Sequence, residues 1–533
     1  MLHIHRAERA DALIEALGRL LAEPLADPFA PDVIAVPTRG MERWLSQRMS
    51  ASLGATPGRS DGICANVEFP FPRRLASDAV AAASGIDPES DPWLPQRAVW
   101  PLLDVVGECL HEPWLGSLAR HLGDEDDADR RARRFATVRH LAELFDRYAL
   151  HRPELVCGWV RGEVDVPDEA TWQAELWRRL RERLAEPSPA ERLEPACERL
   201  RADPSLLDLP ERISLFGLTR LPTGHLDVLR ALAAGRDVHV FLLHPSPALW
   251  EKLDGMPPVV RRAEDGTAAV PGNRLLASWG QDAREMQLVL GAHEHVGHHH
   301  PVASGDDTLL SRIQADVRAD RAPPGVPLPG RPDARPHLDP ADRSVQIHAC
   351  HGRARQVEVL RDAILHLLDE DDTLQPRDVI VMCPDIETFA PLIQATFAAG
   401  EVIEDDELEP LPAELRPTDL RVRLADRSLR QTNPVLGVVA QLLDLAASRL
   451  TASDVLDLAD REPVRRRFRL EDEDLARIRD WVAESGIRWG LDAAHRAPYR
   501  LADLTAGTWK RGLDRVLVGV TMTEEGHRLF EGV

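Results

Sequence analysis

Apolar and polar positions follow one another along this chain with two different periods. Residues 2–6, Leu-His-Ile-His-Arg, alternate as a short strand does, and Leu13, Leu17, Leu20 and Leu21 then recur at the spacing of one helical face. A second strand, Val33 to Thr38, passes through Arg39 and Gly40 into a helix on which Met41, Trp44, Leu45 and Met49 share the apolar side. Strand, helix, strand, helix at this spacing predicts a parallel α/β sheet. From about residue 85 to 200 the pattern is helical, with Phe135, Val138, Leu141, Ala142 and Phe145 on one stripe and Leu176–Leu184 forming another helix, as expected of a helical insertion. Strand patterns return at 213–218 (ISLFGL) and 238–245 (VHVFLLHP).

A proline-rich polar stretch over 318–343 cannot build a core and predicts a semi-extended linker at the main domain boundary. Beyond it, Val345–Cys350 predicts a strand, Val357, Leu360, Ile364 and Leu367 a helix, Asp378–Cys383 a second strand, and then a helix with Pro391 in its first turn. From about 430 the chain is again helical, with Asp and Arg pairs on solvated faces. The expected domains are therefore 1–317 with an insertion over about 85–205, a linker over 318–343, a second α/β unit starting at 344–430, and a helical region over 431–533.

Composition narrows the function. No apolar run reaches the roughly 18 residues that span a bilayer and the N-terminus has no signal-peptide pattern, so a cytoplasmic location without membrane contact is expected. The six cysteines have no CxxC pair and no metal-like spacing. A net charge of −23 argues against coating nucleic acid, so any contact with it belongs in a groove or channel. Lys252 and Lys510 are the only lysines. A P-loop needs GxxxxGK[ST], and neither WEKLDG nor TWKRG supplies it, so nucleotide hydrolysis by that route is not expected.

Other motifs admit plainer readings. The run Ile364–Glu370 imitates a Walker B strand, but it continues the stripe from Val357 and is read as helix. His293, His295, His298, His299 and His300 offer imidazoles for a metal, yet with only Glu294 beside them they are read as an exposed polar loop. The acidic runs Asp124–Asp129 and Glu404–Glu409 follow no apolar strand and are read as solvated loops, not a nuclease centre. At VPTRGMERWLSQRM a strand end meets a hydroxyl, a guanidinium and free helix N–H groups, which suits a phosphate backbone as well as it suits a plain turn.

Several segments together resemble the RecC family, the gamma chain of exodeoxyribonuclease V. They include LHIHRAERADALIEAL, DPFAPDVIAVPTRGMERWLSQRMS, GICANVEFPFP, LFDRYALHRPELV, GNRLLASWG, CHGRARQVEVLRDAIL, PRDVIVMCPDIETFAPLIQATF, LADRSLRQTNPVL and DWVAESGIRWG. The resemblance implies two inactive superfamily 1 helicase-like, P-loop NTPase-like, parallel-sheet domains with helical insertions, LHIHRAER standing at the former P-loop. It implies a non-catalytic subunit of an ATP-dependent helicase and exonuclease complex in double-strand break repair and recombination. RecB-like and RecD-like subunits would be its partners, and they, not this chain, would use ATP and magnesium. It also implies single- and double-stranded DNA as ligands, and a tunnel that scans for Chi.

The implied DNA-contacting residues are Thr38, Arg39, Arg43, Phe71, Glu143, Leu144, Asp146 and Arg152, with Pro37 beside them. Leu144, Asp146 and Arg152 match the family chemistry, whereas Pro37, Arg39 and Arg43 replace neutral polar side chains. Arg39 and Arg43 suit phosphate or guanine edges, Phe71 base stacking, and an Asp146–Arg152 pair the fixing of a helix end. The family is about twice this length and ends in a nuclease-like domain that holds RecB, so a truncated chain is expected. The alternatives are an AddB-type active helicase, which needs a P-loop, and a scaffold that never touches DNA.

Overall fold

The computed structural model describes all residues except 52, 56–58, 60, 123–127, 259–261, 304, 306, 328, 398–419, 421, 423, 425–431, 447 and 522–533. The acidic run Glu404–Glu409 and most of Asp124–Asp129 lie outside the described residues. The chain divides into two compact units, Met1–Gln346 and Ile347–Val533.

The first unit is built on six strands, β1 (Leu2–Ala7), β2 (Asp32–Ala35), β3 (Val67–Glu68), β4 (Arg212–Phe216), β5 (Asp237–Leu243) and β6 (Val296–His299). They form one sheet in the order β3-β2-β4-β5-β1-β6, with every pair parallel. Leu2 and Ile4 of β1 and Val238, Val240 and Leu242 of β5 point to one face. There they meet α3 (Pro72–Ser84), α9 (Pro189–Ala202) and α10 (Thr223–Leu232). Ala7, Ile34, Phe216 and Phe241 point to the other face, against α1 (Ala10–Leu21) and α2 (Arg39–Met49). Helices on both faces are what a fully parallel sheet requires, because each crossover must return over the sheet. The helices after β2 and β4 depart to opposite faces, which opens a crevice at the carboxyl ends of these neighbouring strands.

The helical insertion has its own core. It comprises α4 (Pro95–Cys109), α5 (Gly116–Leu122), α6 (Ala128–His151), α7 (Pro153–Val160) and α8 (Thr171–Leu184). Val138, Leu141, Ala142 and Phe145 of the predicted stripe are buried in it, around the fully buried Trp159 and Trp177, whose rings meet edge to face at 6.0 Å.

Three sequence expectations change. The histidine segment is not an exposed loop: β6 pairs with β1, His298 stacks on His3 and His5 of β1, and His3 stacks in turn on His239 of β5. His5 is sandwiched at 4.5 Å by His298 and 4.4 Å by Phe241, and its Nε2 lies 3.0 Å from His239 Nδ1. The strand was unrecognisable from sequence because its packing surface is imidazole, not aliphatic. The proline-rich segment joins later than its composition suggests. Arg318 closes a helix, and Asp320, side chain fully buried, accepts from Lys252 Nζ and from Asn273 N at 2.9 Å.

The third change lies at the start of the second unit. Residues 345–350 and 378–383 were expected as strands but run without ladder partners, leaving Ile347 94%, Ile380 85% and Met382 88% exposed. An apolar run becomes a strand only when a neighbour completes its hydrogen bonds, and among the described residues of this unit none does. The helix Arg353–Glu370 includes the Walker-B-like run, and the helix Ile386–Phe397 carries Pro391 in its interior instead of its first turn. Asp385 accepts from Thr388 N and its hydroxyl, starting that helix a turn earlier than the proline suggested. The two helices share a core of Val357, Ile364, Ile393 and Phe397. No helix among the described residues is long and apolar enough to cross a membrane.

Candidate nucleic-acid interface

The carboxyl end of β2 sets the position of the first cluster. Val36, buried just past β2, donates its N–H to Pro70 O at 3.0 Å, tying the Pro37–Thr38 turn to the segment that carries Phe71. Thr38 caps α2 by accepting from Met41 N at 3.1 Å, so its hydroxyl is spent on the helix start. Arg39 and Arg43 are one helical turn apart and both exposed. Behind them, Gly217 ends β4 at φ +75°, and a Cβ there would stand 2.9 Å from Met41 Cε. The left-handed φ is what favours glycine here, since a side chain would be strained there even if the tip of Met41 moved aside.

Phe71 is 43% exposed and precedes Pro72, the first residue of α3. Two residues on, Arg73 Nη2 donates to both carboxylate oxygens of Asp146 on α6, each at 2.9 Å. This contact was not anticipated. The carboxylate that family resemblance pairs with Arg152 is engaged by an arginine lying two residues beyond Phe71. The signal was present in the FPRRL sequence, but only tertiary packing brings α3 to α6.

Beneath the ion pair lies a cavity of about 140 Å³ lined by Arg73, Asp146, Trp93, Arg192 and His225, among others. Asp91 and Arg192 form a second, nearly buried ion pair in its wall. Burial, with a smaller push from Arg73 and His151, lowers the His225 pKa to about 4.

The remaining expected residues are placed less favourably. Leu144 packs against the helical core. Glu143 pairs with Arg139 at 3.4 Å along α6. Arg152 is exposed at the start of α7, and the neighbouring His151 carbonyl accepts from Thr223 Oγ1 at 3.2 Å. Two contacts therefore link the segments concerned: Val36–Pro70 between the Thr38–Arg43 and Phe71 segments, and Arg73–Asp146 between the Phe71 segment and α6.

At the other crevice of the sheet, β1 reaches α1 through Glu8 and Arg9 alone. A P-loop needs eight residues with two glycines between strand and helix. The Glu8 side chain, 5% exposed, contacts His299 Nε2 at 2.6 Å and accepts from Val302 N at 3.1 Å. A buried carboxylate at this strand exit repels phosphate. Among the described residues no group of three or more His, Cys, Asp or Glu side chains is arranged to hold a metal ion.

These features define a parallel α/β protein with a helical insertion, whose first strand–helix turn is closed and whose exposed cations gather at another carboxyl edge. The family model for the RecC N-terminal domain matches residues 2–320, and that for the fourth domain of the RecBCD enzyme subunit RecC matches 432–533. The chain belongs to the RecC family. It is 46% identical to the RecBCD enzyme subunit RecC of Mycobacterium tuberculosis (strain CDC 1551 / Oshkosh), over 98% of this chain and 46% of that protein. With the corresponding subunits of Mycolicibacterium smegmatis and Escherichia coli K12 the identities are 45% and 33%. Those matches cover 99% and 98% of this chain, and 46% and 48% of the relatives. The chain spans about half the length of these curated relatives.

Proposed function

We propose that this chain is a non-catalytic, DNA-handling subunit of an ATP-dependent helicase and exonuclease that acts in double-strand break repair and recombination. In this reading both units are helicase-shaped, with the first domain over 1–317, the linker over 318–343, the second domain beginning over 344–430 and a helical region from 431. RecB-like and RecD-like chains are its partners in the cytoplasm and use the ATP and magnesium, while this chain guides single- and double-stranded DNA. What supports the motor-shaped but non-hydrolysing part is the parallel sheet with a two-residue, glycine-free turn after β1, blocked by Glu8.

The observation that carries the DNA reading is the cluster at the carboxyl end of β2. Arg39 and Arg43 are exposed on the helix that starts there, the Val36–Pro70 hydrogen bond ties that strand end to the segment carrying Phe71, and the Arg73–Asp146 ion pair ties that segment to α6. Guanidinium groups there take phosphates and Phe71 takes a base. Strand scanning of the Chi type belongs to the same surface, with Arg73 and Asp146 at its centre and Glu143, Leu144 and Arg152 nearer its margin.

The test is Arg39→Glu with Arg43→Glu in the full chain. Single-strand affinity is expected to fall, and the slope of log affinity against log salt to shrink by roughly 1.4, about 0.7 for each single-strand phosphate that is no longer neutralised. An unchanged affinity and slope would refute the DNA reading and favour a scaffold that touches only protein.

A further inference from the structure

Residues 486–512 of the second unit carry five cations, Arg488, Arg496, Arg500, Lys510 and Arg511, against two acids, Asp492 and Asp503, in a chain of net charge −23. On the neighbouring helices several arginines are paired: Arg465 with Asp460 and Asp472, Arg466 with Glu462, and Arg477 with Asp474. Within 486–512 this does not happen. Arg496 is buried and turns its guanidinium to the carbonyls of Trp489, Leu504 and Ala506 at 2.6–2.8 Å, acting as an internal staple. Arg488, Arg500 and Lys510 are exposed and Arg511 is half-buried, and none of the four has a carboxylate partner among the described residues. Asp492 is occupied at a helix start, accepting from His495 N at 2.9 Å.

Backbone hydrogen bonds gather these cations around an aromatic pair. Arg488 N donates to Gly507 O at 2.9 Å, Lys510 N to Leu491 O at 3.0 Å, and Gly490 N to Arg449 O at 2.9 Å. Trp489 and Tyr499 meet edge to face at 5.5 Å, and Arg449 lies 5.2 Å over the Tyr499 ring. Tyr499 remains 37% exposed. Arg500, next to it, is held at φ +61°, a left-handed conformation that an arginine adopts at a cost. Cations without carboxylate partners near an exposed, cation-backed ring suit a ligand that offers both phosphates and an unpaired base. Inside a duplex the base faces are stacked on one another, so an unpaired strand offers Tyr499 a base face more readily.

We infer that this cluster is a second single-stranded nucleic-acid contact, in which Arg488, Arg500, Lys510 and Arg511 hold phosphates and Tyr499 stacks on a base. The choice of nucleic acid over an acidic protein surface rests on the function proposed above; the residues are independent of it. Neither lysine-based nucleotide chemistry nor the β2-edge cluster involves them.

The experiment uses the full chain and a fluorescein-labelled oligothymidylate, read by anisotropy over a salt series. Arg500→Glu with Lys510→Glu is expected to weaken binding at least about tenfold and to lower the salt slope by roughly 1.4. Tyr499→Leu is expected to weaken it about tenfold with the slope unchanged, because stacking releases no counterions. Where the charge reversal alters the thermal melt, Arg500→Gln with Lys510→Gln replaces it under the same criteria. Unchanged affinity in these variants, alongside weakened binding in the Arg39→Glu, Arg43→Glu variant, overturns this inference and leaves the function proposed above standing. Polyglutamate competing as well as unlabelled oligonucleotide also overturns it, in favour of an acidic protein partner. Wild-type chain that fails to bind the oligonucleotide overturns both.

Discussion

Arg73 Nη2 donates to both oxygens of the Asp146 carboxylate at a site where the arginine is half-exposed and the acid is not. Replacing Arg73 by alanine leaves a partly buried carboxylate unpaired, and about 1–2 kcal/mol of stability is expected to be lost in a denaturant melt, less the discount for solvent on the arginine side. Arg73→Lys is expected to recover part of the loss, since an ammonium can donate to the same carboxylate but its flexible stem gives up more freedom in doing so. The buried imidazoles act in a different way. Burial first, then neighbouring imidazoles, pushes His5 down to about 3 and His239 to about 4, from 6.5. Below about pH 6.5 the unfolded chain takes up protons that the folded chain refuses, so their contribution is full above that pH and is lost as pH falls toward 4. The urea midpoint is therefore expected to drop between pH 7 and pH 5, and His5→Asn is expected to flatten that dependence.

At the scale of elements, the β1–α1 turn and the strand β6 are held by one residue. Glu8 reaches across from the end of β1 to His299 on β6 and to the backbone of Val302. Removing that carboxylate frees an edge strand of four residues that pairs with only one neighbour. In Glu8→Ala, amide exchange in Val296–His299 is expected to rise well above that in β4 and β5, and an equal rise throughout the sheet would show that Glu8 serves global stability instead. Strand β6 also shows why a histidine-rich segment is hard to read. Its alternation is polar to the eye, yet His298 and His300 stack inward on His5 while His299 faces Glu8.

For the whole molecule, the first unit runs toward its end at Gln346 through a segment whose composition forbids a core. Residues 322–327 and 329–340 are almost wholly exposed, so brief proteolysis is expected to cut there first and release a fragment ending near residue 320–346. First cleavage within α6–α10 would contradict this order of stability. Much of the first unit was legible in the sequence: β1, β2, β4 and β5 fall where alternation put them, as do α1, α2, α6 and α8. So was the cluster around Thr38, Arg39 and Arg43, because a strand end followed by a capped helix is a local arrangement. The Arg73–Asp146 ion pair was not, since 73 residues separate the two and nothing local couples them.

The sequence by itself determined which segments have one buried side, that only two lysines exist, and that no P-loop can be formed. These follow from periodicity and residue identity, which act over a turn of helix or a few strand positions. Only the tertiary structure decided that β6 closes the sheet with stacked imidazoles, that Asp146 belongs to Arg73, and that the runs at 345–350 and 378–383 find no ladder among the described residues. Each of these depends on a partner distant along the chain, and hydrogen bonds between distant segments are fixed by packing.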